Sequence, residues 1–451
     1  MENKTVSTLL KIAMVSTLFS LFFAFGFNHP VAENSDAGQY DTIGWNLANG
    51  NGFSFSHSLP YEPTMFREPA YPVFLAIIYK VFGHNIAFVQ IFQMIIFSLT
   101  CLLIYVLALN IFDKKIAKYA AFATALCPTL ANYPSYILSE TLFTFILCLS
   151  ILSLTLAVKL KKNVLFAVSG ILVGAAALCK TVMLLFIFPV LIGIIILNRD
   201  KLNFLKKTII YCAFFILPFL IIVSMWSFRN HAVCGTYKIS LRGGLEIWQM
   251  SQKLDNSVKE IKYDIAYNFS EFLGNKLFPE AAENPRDVIL SGTKKSMEKE
   301  DELRRQGLTP ANIDKKMLEE AIPKIFKKPV KYLSYIFIES IKMTAFIYVP
   351  ILNESYVIEK FNGLKKGPLI LSSIRGIFRF SAYPFLALAL VGMFFASRSW
   401  RNWYFIVGVI IYINLIYSML FAMGRYAVPL IPFYSIFASI GLLKLLGKEG
   451  C

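Results

Sequence analysis

Apolar runs of about 20 residues recur along this chain, separated by short polar stretches. They fall at roughly 9–27, 87–111, 119–133, 140–158, 163–179, 182–198, 208–228, 375–396, 403–422 and 427–446. Backbone groups inside lipid must bond to one another, so spanning segments of this kind are helices. The pattern predicts an all-α polytopic membrane protein with about ten transmembrane helices. An eleventh apolar stretch, 330–349, carries Glu339 and Lys342 at its middle. Charge is costly there, so it reads as a helix lying in the outer interface, and as an eleventh span if it crosses.

The polar stretches set orientation. "DKKIAK" (113–118), "KLKKN" (159–163), "RDKLNFLKK" (199–207) and "SRSWRN" (397–402) are short and basic. The positive-inside bias makes them cytoplasmic. The opposite face then receives residues 28–86, the turns near 134–139, Lys180 and Gly424–Arg425, and the long segment 229–374. This divides the chain into an N-terminal membrane module (1–228, with its first external loop 28–86), an external region of loops and interfacial helices (229–374), and C-terminal transmembrane helices (375–451). Lys4 and Lys11 give the first run some likeness to a signal peptide, but no clear small-x-small cleavage site follows it. No internal repeat is visible, and the inverted-repeat signature of many transporters is absent.

Composition agrees with the pattern: 56% of the 451 residues are hydrophobic and 16% are charged. The net charge of +17 would suggest nucleic acid in a soluble protein. Here the basic residues gather in cytoplasmic loops and in the external segment 229–329, whose alternating charges suit solvated amphipathic helices, so no nucleic-acid partner is expected. The seven cysteines show no CxxC and suggest neither a disulfide framework nor a thiolate metal site.

Candidate chemistry lies where polar residues interrupt the pattern on the outer side. Asp36 and Asp41 follow the first span in "SDAGQYDTIGWNLANGNGFS", and Arg67 sits in "FREPAYP". Glu140 opens the fourth span, Lys180 separates the fifth and sixth, Arg229 ends the seventh, and Arg425 precedes Tyr426 at the last. Each has a plainer reading. Asp36 can simply cap a helix over 37–48, Asp41 suits a solvated first-turn carboxylate, Tyr40 and Trp45 suit an aromatic belt, and the cations can snorkel to headgroups. The four histidines fit no metal spacing. Together, four cations and several carboxylates on one face suit an anionic lipid-linked substrate, with Arg and Lys holding a phosphate and a carboxylate taking a hydroxyl proton. Ser35 is free to cap the helix, leaving Asp36 for chemistry; Tyr40, Ile43 and Leu47 give it an apolar stripe, and Asn49–Gly52 ends it.

At these residues the chain resembles the GT-C superfamily of polyprenyl-phosphate-sugar-dependent glycosyltransferases. It looks most like the bacterial protein mannosyltransferase and lipid A aminoarabinose transferase relatives. "DAGQYDTIGWNLANGNGFS" is similar to the family's acidic first-loop motif, and "REPAYPVFLAIIYKVFG" to its Arg-x-Pro-x-Tyr-Pro segment. "LSETLFTFIL", "WSFRNHAVCG" and "GRYAVPLIPF" follow in the family's order. The resemblance implies a GT-C-like bundle with external juxtamembrane helices and an active site at the outer interface. It makes Asp36 the catalytic carboxylate and Arg67, Lys180 and Arg229 the cations at the donor phosphate. Tyr40, Asp41, Glu140, Arg425 and Tyr426 become supporting or substrate-binding residues. Many relatives have Asp-Glu at the first-loop motif, whereas Ala37 follows Asp36 here, so any acidic pair must recruit Asp41 or Glu140. The "WWD" motif of oligosaccharyltransferases is absent, which counts against en bloc oligosaccharide transfer and its divalent metal.

The expected function is inverting transfer of a single sugar from a polyprenyl-phosphate donor to a hydroxyl on a lipid, glycan or protein, at the outer face of the cytoplasmic membrane. Asp36 is the expected general base. No metal ligand set and no cofactor are expected, with a divalent metal left open. The alternatives are a flippase for lipid-linked sugars and a surface-polysaccharide polymerase or ligase.

Overall fold

A computed structural model describes residues 2–26, 35–199, 204–269, 271–279, 291–345, 358, 363–364 and 367–447. Among the described residues every regular element is a helix. Seven stretches are long and apolar enough to cross a membrane: Lys4–Ala24, Ile86–Ile111, Glu140–Leu160, Thr181–Asn198, Phe204–Cys234, Ile370–Met419 and Gly424–Leu445. The chain is an integral membrane protein.

The membrane helices in chain order begin with α1 (Glu2–Gly26). The pair α2 (Asp36–Ala48) and α3 (Ala70–Phe82) follows. Next come α4 (Ile86–Ile111), α5 (Lys114–Ala125), the short α6 (Pro128–Asn132), α7 (Glu140–Leu160), α8 (Asn163–Cys179), α9 (Ile187–Asn198) and α10 (Phe204–Cys234). The predicted span over 119–133 is therefore two helices, not one. Pro128 has no N–H to donate and holds Cys127 in an extended conformation (φ −72°, ψ 114°), so α5 must stop. At 12 residues α5 is too short to cross a core of about 30 Å at about 1.5 Å per residue. It lies buried instead, with Ile116, Ala117, Ala120 and Ala121 fully enclosed.

Close helix crossings use small residues. An ideal Cβ at Gly170 of α8 would lie 2.2 Å from the Phe215 carbonyl oxygen of α10, so only glycine lets these backbones meet. Hydroxyl pairs join other helices: Ser98 of α4 meets both Ser16 and Thr17 of α1 at 2.8 Å. Large apolar side chains such as Leu18, Phe22, Leu217 and Met225 face outward and exposed, as a lipid-facing surface requires.

The helices α11 (Gly243–Lys253), α12 (Val258–Phe269), α13 (Glu271–Leu277), α14 (Ser291–Arg305) and α15 (Pro310–Lys327) match the charge-rich segment. Trp248 of α11, Leu303 of α14, and Ile313, Met317 and Ala321 of α15 form their small core. Helix α16 (Pro329–Ala345) covers most of the stretch read as interfacial; residues 346–349 lie outside the described residues. Its Glu339 and Lys342 are not set against lipid. Glu339 accepts from Lys253 at 2.8 Å and Lys342 at 3.0 Å, and Lys342 also reaches Asp264 of α12 at 2.7 Å. Burial would push the Glu339 carboxyl up, but the two lysines hold it below the usual carboxylate range. The chain closes with α17 (Gly367–Ala396), α18 (Trp400–Met419), a 3-10 segment Gly424–Leu430 and α19 (Ile431–Leu445).

Candidate active site

Helix α2 begins as the sequence suggests. Ser35 caps it by accepting the Gly38 N–H at 3.2 Å, which leaves the Asp36 carboxylate free of capping duty. Tyr40 is buried against Tyr71 of α3 and Ile43 is fully buried, while Leu47 is only half-buried. Gly44 presses on Leu75, where an ideal Cβ would come within 2.7 Å, and Gly50 (φ +79°) turns the chain out of the helix. Asn46 then pins the returning loop by donating to the carbonyls of Ser54 and Ser56 at 2.8 and 3.0 Å.

That loop returns Arg67 to Asp36. One Asp36 oxygen pairs with the Arg67 guanidinium, and the other accepts from Arg425 Nη2 at 2.6 Å. Arg67 Nε donates to Gln39 Oε1 at 2.8 Å, and its guanidinium lies 5.0 Å from the centre of the Tyr40 ring. Burial acts to raise the Asp36 carboxyl, but Arg425, Arg67 and Arg242 together hold it well below the usual carboxylate range.

Around this pair lies a cavity of about 380 Å³. Its wall includes Tyr40 of α2, Glu140 at the start of α7, Lys180 after α8, and Arg425 and Tyr426 before α19. Lys180 reaches Glu140 at 3.4 Å, while the second Glu140 oxygen is buried without a hydrogen-bond partner. Tyr426 stacks on Tyr417 of α18 at 4.2 Å. Another part of the wall is apolar, with Leu184, Leu185, Ile416 and Leu420 contributed by the 3-10 segment Thr181–Phe186 and the end of α18.

Two candidates stand apart from this lining. Arg229 lies within α10, which runs on to Cys234. It donates to the Thr64 carbonyl at 3.0 Å and packs 4.8 Å from the Trp226 ring centre. Asp41 faces α3, where it accepts from the Tyr79 hydroxyl and pairs with His84 Nε2 at 2.9 Å. Among the described residues no group of three or more His, Cys, Asp or Glu side chains is arranged to hold a metal ion.

The cavity also contains residues the sequence did not single out. Glu68, next to Arg67, accepts from the Thr181 hydroxyl at 2.7 Å and from Ser240 at 3.3 Å. The external segment adds Lys238, Arg242, Glu246 and Asp314. Asp314 of α15 caps α11 from outside, accepting the N–H groups of Gly244 and Leu245 at 2.8 and 3.4 Å, and pairs with Lys238 at 2.7 Å. An ideal Cβ at Gly244 would lie 1.9 Å from the Asp314 carbonyl oxygen, so the glycine is what lets α15 come so close. The signal for this wall is the run Arg242-Gly243-Gly244, a cation ahead of a helix start that nothing local can cap.

The fold is similar to that of a solved archaeal membrane oligosaccharyltransferase. A family model described as dolichyl-phosphate-mannose-protein mannosyltransferase matches residues 63–227. The oligosaccharyltransferase AglB of Archaeoglobus fulgidus, in complex with an inhibitory peptide and a dolichol-phosphate, overlays with a TM-score of 0.53 at 14% identity. That overlay covers 98% of this chain and 50% of AglB. The same archaeal enzyme tethered to an acceptor peptide gives 0.52, also at 14% identity and over 98% and 50% of the two chains. The chain thus spans about half the length of these archaeal structures. ArnT of Cupriavidus metallidurans bound to undecaprenyl phosphate overlays at 0.41 and 12% identity, over 98% of this chain and 79% of ArnT. No curated protein sequence matches.

Proposed function

We propose that this chain is an integral-membrane glycosyltransferase that moves one sugar from a polyprenyl-phosphate carrier to an acceptor hydroxyl, at the outer face of the cytoplasmic membrane. The observation that carries the reading is the Arg67–Asp36–Arg425 cluster, with Lys180 in the same cavity, beside an apolar wall. The cations suit a phosphate, and the apolar wall suits the start of a lipid chain. Further support comes from the mannosyltransferase family model, whose matched residues include Arg67, Glu140 and Lys180. The dolichol-phosphate in the AglB complex supports the same class of carrier.

The chemistry follows from the cluster. An arriving donor phosphate competes with Asp36 for Arg67 and Arg425, and Lys180 adds a third positive charge. Each guanidinium contact that Asp36 gives up returns lone pairs to its carboxylate and makes it a stronger base. Asp36 then takes the proton of the acceptor hydroxyl. The oxygen bonds to the anomeric carbon from the face opposite the phosphate, and the bond from that carbon to the phosphate oxygen breaks with inversion. The polyprenyl phosphate leaves with the electron pair, its growing charge met by the same arginines and lysine. Tyr40, Glu140 and Tyr426 support this arrangement. Arg229 is left to a structural role at Thr64 and Trp226, and Asp41 to the contact between α2 and α3.

Comparison of surface glycoconjugates by mass spectrometry, with and without the protein, tests the reading. Loss of a single sugar from a defined glycoconjugate is the expected outcome. A loss of whole glycan chains points to a polymerase or ligase, and an unchanged set of glycoconjugates contradicts the proposal.

A further inference from the structure

The cavity is lined by five carboxylates, and four of them are engaged. Both oxygens of Asp36 face arginines, and both oxygens of Asp314 are taken by Lys238 and the start of α11. Glu68 receives Thr181 and Ser240, and Glu140 receives Lys180 on one oxygen while its other oxygen is shut away from the cavity by burial. Glu246, in the first turn of α11, differs. Among the described residues no hydrogen bond reaches its carboxylate, and its nearest cation, Arg242 Nε, is 3.8 Å away. It lies close enough to Lys180 and Arg425 to feel their charges. Burial nonetheless pushes its carboxyl up, since a loose pair does not replace the water it has lost.

A carboxylate in a cavity with vacant lone pairs accepts from hydroxyl groups. We propose that Glu246 holds the sugar of the lipid-linked donor, accepting hydrogen bonds from its ring hydroxyls while Arg67, Arg425 and Lys180 hold the phosphate. This rests on the functional reading above and extends it. The membrane module grips the carrier, and the external helix α11 reads the cargo. Glu246 is also the second carboxylate that Ala37 denies the first loop, delivered from more than 200 residues further along the chain.

The test is binding by the full-length protein in nanodiscs. The probes are a short-chain polyprenyl phosphate and the same lipid carrying one hexose, one pentose or one N-acetylhexosamine. Wild type is expected to hold at least one glycosylated lipid more tightly than the bare phosphate. Glu246→Gln should erase that preference, weakening the glycosylated lipid about tenfold and leaving the bare phosphate unchanged. Glu246→Asp should restore part of it, whereas Arg425→Gln should weaken both lipids alike. If Glu246→Gln binds both lipids as wild type does, the inference is overturned. That result also covers the case in which Glu246 meets the acceptor's hydroxyl rather than the donor's sugar. If wild type binds both lipids but does not prefer any glycosylated form, the inference again fails while the carrier site stands. If wild type binds neither lipid, the functional reading itself fails and takes the inference with it.

Discussion

Asp36 sits between two arginines drawn from opposite ends of the chain. Its ionised form is favoured in the folded protein, so its folded pKa lies below the unfolded value of about 3.9. The sign of the linkage follows. The stabilisation is fully present above the unfolded value and disappears as the pH falls through the lower folded value. Asp36→Asn should therefore flatten part of the decline in melting temperature between pH 5 and pH 3, measured in detergent at constant salt. An equally steep decline in the variant contradicts the pairing. Sequence reasoning finds Asp36, Arg67 and Arg425 because all three interrupt apolar stretches on one predicted face. It does not find that they touch, since 389 residues separate Asp36 from Arg425 and no local spacing encodes that contact. Glu68 is passed over because beside Arg67 it looks like a local partner; its actual partners, Thr181 and Ser240, are far along the chain.

At the scale of elements, the buried charges of α16 and the glycine crossings carry the clearest consequences. The sequence reads Glu339 and Lys342 as reasons for α16 to stay out of the membrane core. The structure instead sets both against Lys253 and Asp264 of the external helices, where they tie α16 to α11 and α12. Breaking a buried pair leaves uncompensated charge, so Glu339→Gln should destabilise the protein by about 3–5 kcal/mol, seen as a lowered thermal midpoint. A melt unchanged from wild type contradicts the network's role. Gly170→Leu forces a side chain into the Phe215 carbonyl and should cost about 1–3 kcal/mol, while Leu at the half-buried Gly408, where an ideal Cβ meets nothing nearer than 3.9 Å, should be tolerated. Apolar periodicity marks most helices well. It misplaces the break at Cys127–Pro128 because the residues on either side of it, 119–127 and 128–133, read as one continuous apolar run.

For the whole molecule, the charge bias of the loops predicts the sidedness, and the cavity collects residues that this prediction assigns to the outer face. In a background with the native cysteines replaced, Glu62→Cys should react with an impermeant maleimide in intact cells. Lys161→Cys, also exposed, should react only after permeabilisation. The reverse labelling contradicts the orientation. The membrane module is the more legible half, since lipid imposes a simple pattern on it. The external wall is not, because Lys238, Arg242, Glu246 and Asp314 look like any solvated charges until α11 and α15 fold over the cavity. The central claim is sugar transfer from a phosphate-linked lipid at Asp36. Its most direct test is a single-turnover assay in proteoliposomes, with a labelled polyprenyl-phosphate sugar and an acceptor extract, comparing wild type with a folded Asp36→Asn variant. The account predicts that wild type moves one labelled sugar to the acceptor fraction and that the variant transfers at least about a hundredfold more slowly. Equal transfer by both proteins, or movement of intact labelled lipid across the bilayer without transfer, would contradict it.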